Sequence, residues 1–83
     1  MDIMKYPQTT LEMSDCLNKT VDSYRNRDIN EMKLKELLYH YYEMHNKLIF
    51  DEHNNLLATI KHYVGKRRLN FIAKVIGKNE FKI

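Results

Sequence analysis

Between Ile29 and Phe50 the chain reads INEMKLKELLYHYYEMHNKLIF, and Leu34, Leu37, Leu38, Tyr41, His45 and Leu48 recur at steps of three and four. That spacing lays them on one face of a helix. Strand alternation fails, because Leu37-Leu38 and Tyr41-Tyr42 are adjacent pairs. Asn30 is placed to cap the helix, with Glu31 in its first turn, where the dipole favours an anion. Ile29 and Leu34 stand at the positions of a hydrophobic staple. Glu31/Lys35 and Glu43/Lys47 are i,i+4 pairs in the better orientation.

A second stripe precedes this one. Thr9-Thr10-Leu11-Glu12 reads as a capping box, and Met13, Cys16, Leu17, Thr20, Val21 and Tyr24 come after it on one face. The short link at Arg27-Asp28 implies an antiparallel pair of helices. Residues 50–55, FDEHNN, lack periodicity and read as a loop, with Asn54 or Asn55 capping the next helix. Leu56, Leu57, Ile60, Tyr63 and Val64 predict that third helix, which Gly65 stops. Leu69, Ile72, Ala73 and Ile76 predict a fourth, closed by Gly77. Ile3, Met4 and Tyr6 suit an extended segment on the core, while Phe81 and Ile83 either fold back or stay loose.

The expected fold is therefore all-α, one domain over 1–83, with helices at 9–26, 30–49, 55–64 and 66–77. The first two form an antiparallel hairpin, and the shorter last two pack on its face. The predicted core is Leu17, Val21, Tyr24, Leu34, Leu37, Leu38, Tyr41, Leu48, Ile60, Val64, Leu69, Ile72 and Ile76.

Composition sharpens this picture. A chain of 83 residues, 43% hydrophobic and 30% charged, suits a small globular domain. One cysteine excludes an internal disulfide framework and fits a reducing, cytoplasmic setting. No apolar run approaches the roughly 20 residues of a membrane span, so no membrane association is expected. Charge is split: residues 1–55 carry 7 Lys/Arg against 10 Asp/Glu, and residues 56–83 carry 7 against Glu80 alone. Such asymmetry points to an anionic partner, or else to a solvated basic face or charge matching between the two parts of the fold.

Two candidate surfaces emerge. Lys66, Arg67, Arg68, Asn70, Lys74 and Lys78 cluster on the last helix, where cations near a helix start oppose the dipole and a phosphate would favour them. A short helix, a Gly turn and a basic second helix also resemble a helix-turn-helix, although Lys61 stands where a small residue is usual. Phe71 and Val75 lie off the Leu69/Ile72/Ile76 face, and Tyr39 and Tyr42 are hard to bury beside Tyr41. These four are candidates for a protein interface, which a homodimer would equally satisfy.

Chemistry has little support. Glu36, His40 and Glu43 are the only close group of ligand types, without an HExxH pattern or a fourth donor, so no metal or cofactor is expected. Cys16 falls on an apolar stripe and has no His nearby in sequence to serve as a base. No catalytic residue is assigned.

Two stretches, VDSYRNRDINEMKLKELLYHYYEMHNKLIF and VGKRRLNFIAKVIG, share a frame: Asp22-x-Tyr24, Ile29 and Leu34 at a helix start, a Tyr-rich helix, and Gly65-Lys66-x-Arg68-Leu69. Over residues 21–77 this resembles a family of short proteins of Firmicutes genomes, often in prophage or other mobile regions. The resemblance supplies no catalytic residue. It implies a bacterial or phage origin and a small nonenzymatic role. The leading expectation is a protein-binding module, a phage or mobile-element modulator of a host factor, with a small nucleic-acid-binding protein as the alternative.

Overall fold

A computed structural model describes residues 3–83. Among them are three α-helices: α1 (Thr10–Arg25), α2 (Glu31–Met44) and α3 (Ala58–Ile76), with short 3₁₀ turns at Asn46–Leu48 and Asn79–Phe81. The small all-α domain is as the periodicity predicts, but the expected third and fourth helices are one. Gly65 breaks α3 with φ 86° and ψ 160°, and helical residues resume on both sides of that single position. A one-residue break leaves no loop in which the halves could separate.

The first two caps are those expected. Glu12 N–H donates to Thr9 Oγ1 (3.1 Å), although the Glu12 carboxylate accepts from Gln8 N–H rather than from Thr9. Lys33 N–H donates to Asn30 Oδ1 (2.8 Å). Arg27, at φ 64°, turns the chain between α1 and α2, and Asp28 N–H donates back to Ser23 O (2.8 Å). The link sets Tyr24 near Glu31 and Leu34, while Cys16 and Tyr41 further along both donate to Met4 O, so α2 returns beside α1.

Two boundaries differ from the prediction. The central helix ends at Met44 rather than Ile49: beyond it Leu48 N–H donates to His45 O and Ile49 N–H to Asn46 O, the i→i+3 bonds of a tighter 3₁₀ turn. Glu43 and Lys47 consequently are no helical pair, whereas Glu31 and Lys35 do meet at 3.9 Å. The next helix starts at Ala58, without a side-chain cap. Asn54 and Asn55 are occupied elsewhere: Asp51 Oδ1 accepts from His53 and Asn55 N–H, Asn54 sits at φ 62°, and Phe50 bridges Leu56 antiparallel. Those backbone bonds hold the Asp51 carboxyl below the usual carboxylate range.

The core joins Met13, Leu17, Val21, Leu34, Leu38, Tyr41, Ile60, Leu69 and Ile72 from all three helices. It also takes Ile49, Phe50 and Phe81 from the turns. Tyr24 and Leu48, expected inside, are only half-buried and pack against its edge. Phe81 folds back: its ring meets Phe50 edge-on at 5.1 Å between centroids.

Helix α1 clamps the break in α3 from both sides. Asn18 Nδ2 donates to Tyr63 O (2.9 Å), in the turn before Gly65. Asp22, one turn later, receives Arg68 Nε and Nη2 at 3.1 and 2.9 Å, just after it. Such a two-pronged pair fixes direction as well as distance.

The N-terminal segment is held by its carbonyls and by side chains: Ile3 packs on the edge of the core, Pro7 is buried, and the Tyr6 ring meets His40 and His45 edge-on. Met4 and Tyr6 are exposed and Ile3 half-buried. The Met4 carbonyl accepts from the Tyr41 hydroxyl and from Cys16 Sγ (3.4 Å). The Lys5 carbonyl lies 2.8 Å from His40 Nε2 and 3.0 Å from His45 Nε2. A carbonyl only accepts, so both imidazoles carry a proton on Nε2.

Candidate interaction surface

The four aromatic and apolar candidates fall on the side where α2 and α3 meet. Phe71 and Val75, four residues apart on α3, are both half-buried. Phe71 stacks on Tyr24 at 6.0 Å between centroids with 29° between the planes, and the Arg25 guanidinium carbon lies 5.2 Å from its centroid. Tyr39, 38% exposed, donates its hydroxyl to Ile76 O (3.0 Å), which brings that hydroxyl to the end of α3. Tyr42 lies one turn later on α2. Its hydroxyl donates to Glu80 Oε2 (2.7 Å), and Lys78 Nζ lies 5.3 Å from its centroid. That hydrogen bond pushes the Tyr42 phenol up and holds the Glu80 carboxyl below its usual range.

Tyr24, Phe71 and Val75 thus line one groove, Tyr39 and Tyr42 stand one turn apart on α2 against the end of α3 and the turn after it, and none of the four predicted members is fully buried. The groove, of about 330 Å³, is also lined by Leu34, with Glu31, Lys35 and Lys74 at its rim. Sequence reasoning missed Tyr24 and Arg25 as members. Tyr24 sits on the same stripe as the α1 core, and only its partner on α3, far along the chain, shows that it belongs to a groove.

The basic set is divided. Lys66, Arg67 and Lys74 are exposed and make no ion pair among the described residues. Arg68 is engaged by Asp22. Asn70, the amide best placed to read a base, accepts from Ile83 N–H through Oδ1 (2.9 Å). Lys78 lies against Tyr42 and is close enough to Glu80 to lower its carboxyl. Asp22 and Glu80 therefore interrupt the acid-free patch that nucleic-acid binding by all six would need.

The remaining chemical candidates have structural occupations. Among the described residues no group of three or more His, Cys, Asp or Glu side chains is arranged to hold a metal ion. His40 faces Lys5 O, and Glu36 pairs with Lys33 at 3.5 Å. Cys16 is buried, and that burial pushes its thiol up despite the nearby Tyr41 and Lys19, so little of it is a thiolate nucleophile. No described helix is long and apolar enough to cross a membrane.

A family model described as a conserved hypothetical protein matches residues 4–77, and the chain belongs to that family, designated CLB_0814. No curated protein and no solved structure matches.

Proposed function

We propose that this member of the CLB_0814 family is a small nonenzymatic module that binds another protein through the surface formed by Tyr39, Tyr42, Phe71 and Val75. The observation that supports this reading is that Tyr39 stays exposed and Tyr24, Tyr42, Phe71 and Val75 stay only half-buried at the edge of the core. Tyr24 and Phe71 are flanked by Arg25, the residue pairing typical of interface anchors. A cytoplasmic setting suits an unpaired, buried cysteine. The resemblance to short Firmicutes and prophage proteins supports a modulator of a host factor.

Photo-crosslinking in the cell of origin tests it. A benzoyl-phenylalanine replacing Tyr39 or Phe71 is expected to trap a discrete partner band. The same group replacing Leu11, an exposed apolar residue on α1, should trap none. Equal crosslinking at all three positions, or none at any, overturns the reading.

The nucleic-acid alternative keeps one specific support: Lys66, Arg67 and Lys74 are exposed and without an ion pair among the described residues. If these three contact duplex phosphates, the log–log salt slope should be about −2.7, at about −0.9 per contact. An Arg67→Ala/Lys74→Ala variant should lose about −1.8 of that slope. A lack of binding at low salt removes this alternative.

A further inference from the structure

The groove between Tyr24 and Val75 is specific about charge as well as shape. Its floor is apolar: Tyr24 and Phe71 stacked, with Leu34 and Val75. Its volume of about 330 Å³ sits at the low end of ligand pockets, enough for one or two large side chains. Lys35 and Lys74 line its rim with one carboxylate, Glu31, and Arg25 lies over the Phe71 ring. Glu31 is already paired with Lys35 at 3.9 Å. Lys74 and Arg25 make no ion pair among the described residues. The rim is net positive, with Lys74 left over and Arg25 beside it on the Phe71 ring.

Resting on the protein-binding reading above, we propose that this groove takes an acidic segment of another protein. An apolar or aromatic side chain seats between Phe71 and Val75, and flanking Asp or Glu side chains meet Arg25 and Lys74. Charge is what selects this occupant over a second copy. A two-fold dimer through the groove would bring the same positive rim against itself, and like charges facing each other across an interface are strongly disfavoured. An acidic segment instead gains from both unpaired cations and from the desolvated floor. Arg25 has a double use here, since its guanidinium already rests over the Phe71 ring and, being exposed, is free to meet an incoming carboxylate.

A phage-displayed library of random dodecapeptides, panned on the intact chain, tests the proposal. Enriched peptides should be net negative and carry a large apolar residue. A fluorescein-labelled representative should lose at least tenfold in affinity on Lys74→Glu, an exposed position that spares the core, and on Phe71→Ala. Its binding should also weaken with added salt. If the enriched peptides are neutral or basic but still depend on Phe71, the acidic assignment fails while the protein-binding reading stands. If no enriched peptide depends on Phe71 or Lys74, both fail. Sedimentation of the chain alone supplies the remaining outcome. A dimer that Phe71→Ala dissociates makes a second copy the occupant and overturns the proposal, whereas a monomer is the result expected.

Discussion

The single residue Gly65 decides whether α3 is broken or straight, and its substitution separates backbone strain from packing. Gly65 and Gly77 both have positive φ, and a Cβ built on either meets nothing within 4 Å. An alanine at either site therefore clashes with no neighbour, and the cost lies in the backbone alone. The two conformations differ. Gly77, at φ 67° and ψ 31°, is left-handed helical, which an L-residue enters for roughly 1 kcal/mol. Gly65, at φ 86° and ψ 160°, lies in a region that is essentially glycine's alone, where strain reaches about 3 kcal/mol. We expect Gly77→Ala to cost about 1 kcal/mol and Gly65→Ala about 2–3 kcal/mol. For a domain of this size the latter is a fall in Tm of roughly 10–20 °C, or in the urea midpoint of about 2–3 M at an m-value near 1 kcal/mol/M. Straightening α3 would relieve that strain only by giving up the Asn18 bond to Tyr63 O before the break and the Asp22 pair with Arg68 after it. Urea unfolding of both variants followed by circular dichroism reads the difference. A synthetic chain with D-alanine at position 65, whose mirror-image preference suits positive φ, should regain wild-type stability. Equal costs at the two glycines would refute the reasoning, as would a D-alanine variant as unstable as the L-form.

Three further outcomes are set by the contacts. Tyr41 is buried with its phenol pushed well above the ordinary value near 10. Its contribution is therefore complete below pH 10 and is lost as pH rises toward the folded value, at about 1.4 kcal/mol per pH unit. Tyr41→Phe, which deletes the bond to Met4 O, should cost about 1 kcal/mol at pH 7 yet flatten the alkaline loss of stability, measured by urea unfolding at stepped pH. Glu80 has the opposite sign. Its carboxyl is depressed by the Tyr42 hydroxyl, so its contribution is present above the unfolded pKa and lost as pH falls through the folded one. A Glu80→Gln or Tyr42→Phe chain should show a shallower acid limb below pH 5 in the same assay. The half-exposed Arg68–Asp22 pair should give a double-mutant coupling of about 0.5–1 kcal/mol at low salt. That coupling should shrink in 1 M NaCl, where screening reaches about 3 Å.

What could be read in the sequence was local. Thr9 and Asn30 cap as their positions imply, because a cap needs only the next three residues. The stripes of α1 and α2 identify most of the core for the same reason. The errors sit where one group had two potential partners. Asn54 and Asn55 are good caps in composition, but Asp51 reaches their neighbourhood first and turns the chain into a bridge between Phe50 and Leu56. Gly65 was legible as a stop. Whether the chain then forms a loop or resumes at once depends on Asn18 and Asp22, 45 and 46 residues from their partners Tyr63 and Arg68.

The candidate surface shows the same limit from the other side. Tyr39, Tyr42, Phe71 and Val75 could be suspected because α2 and α3 carry more apolar side chains than one face holds. Tyr24 could not, since it continues the buried stripe of Met13, Leu17 and Val21 without a break in period. It leaves the core because it lies in the last turn of α1, where its partner across the junction is Phe71, itself displaced from the buried face of α3. A helical stripe states which side faces the protein, not where along that side the interior ends. That edge is drawn by the crossing helix, and it is at this edge, between Tyr24 and Phe71, that an apolar floor comes to lie beneath unpaired cations.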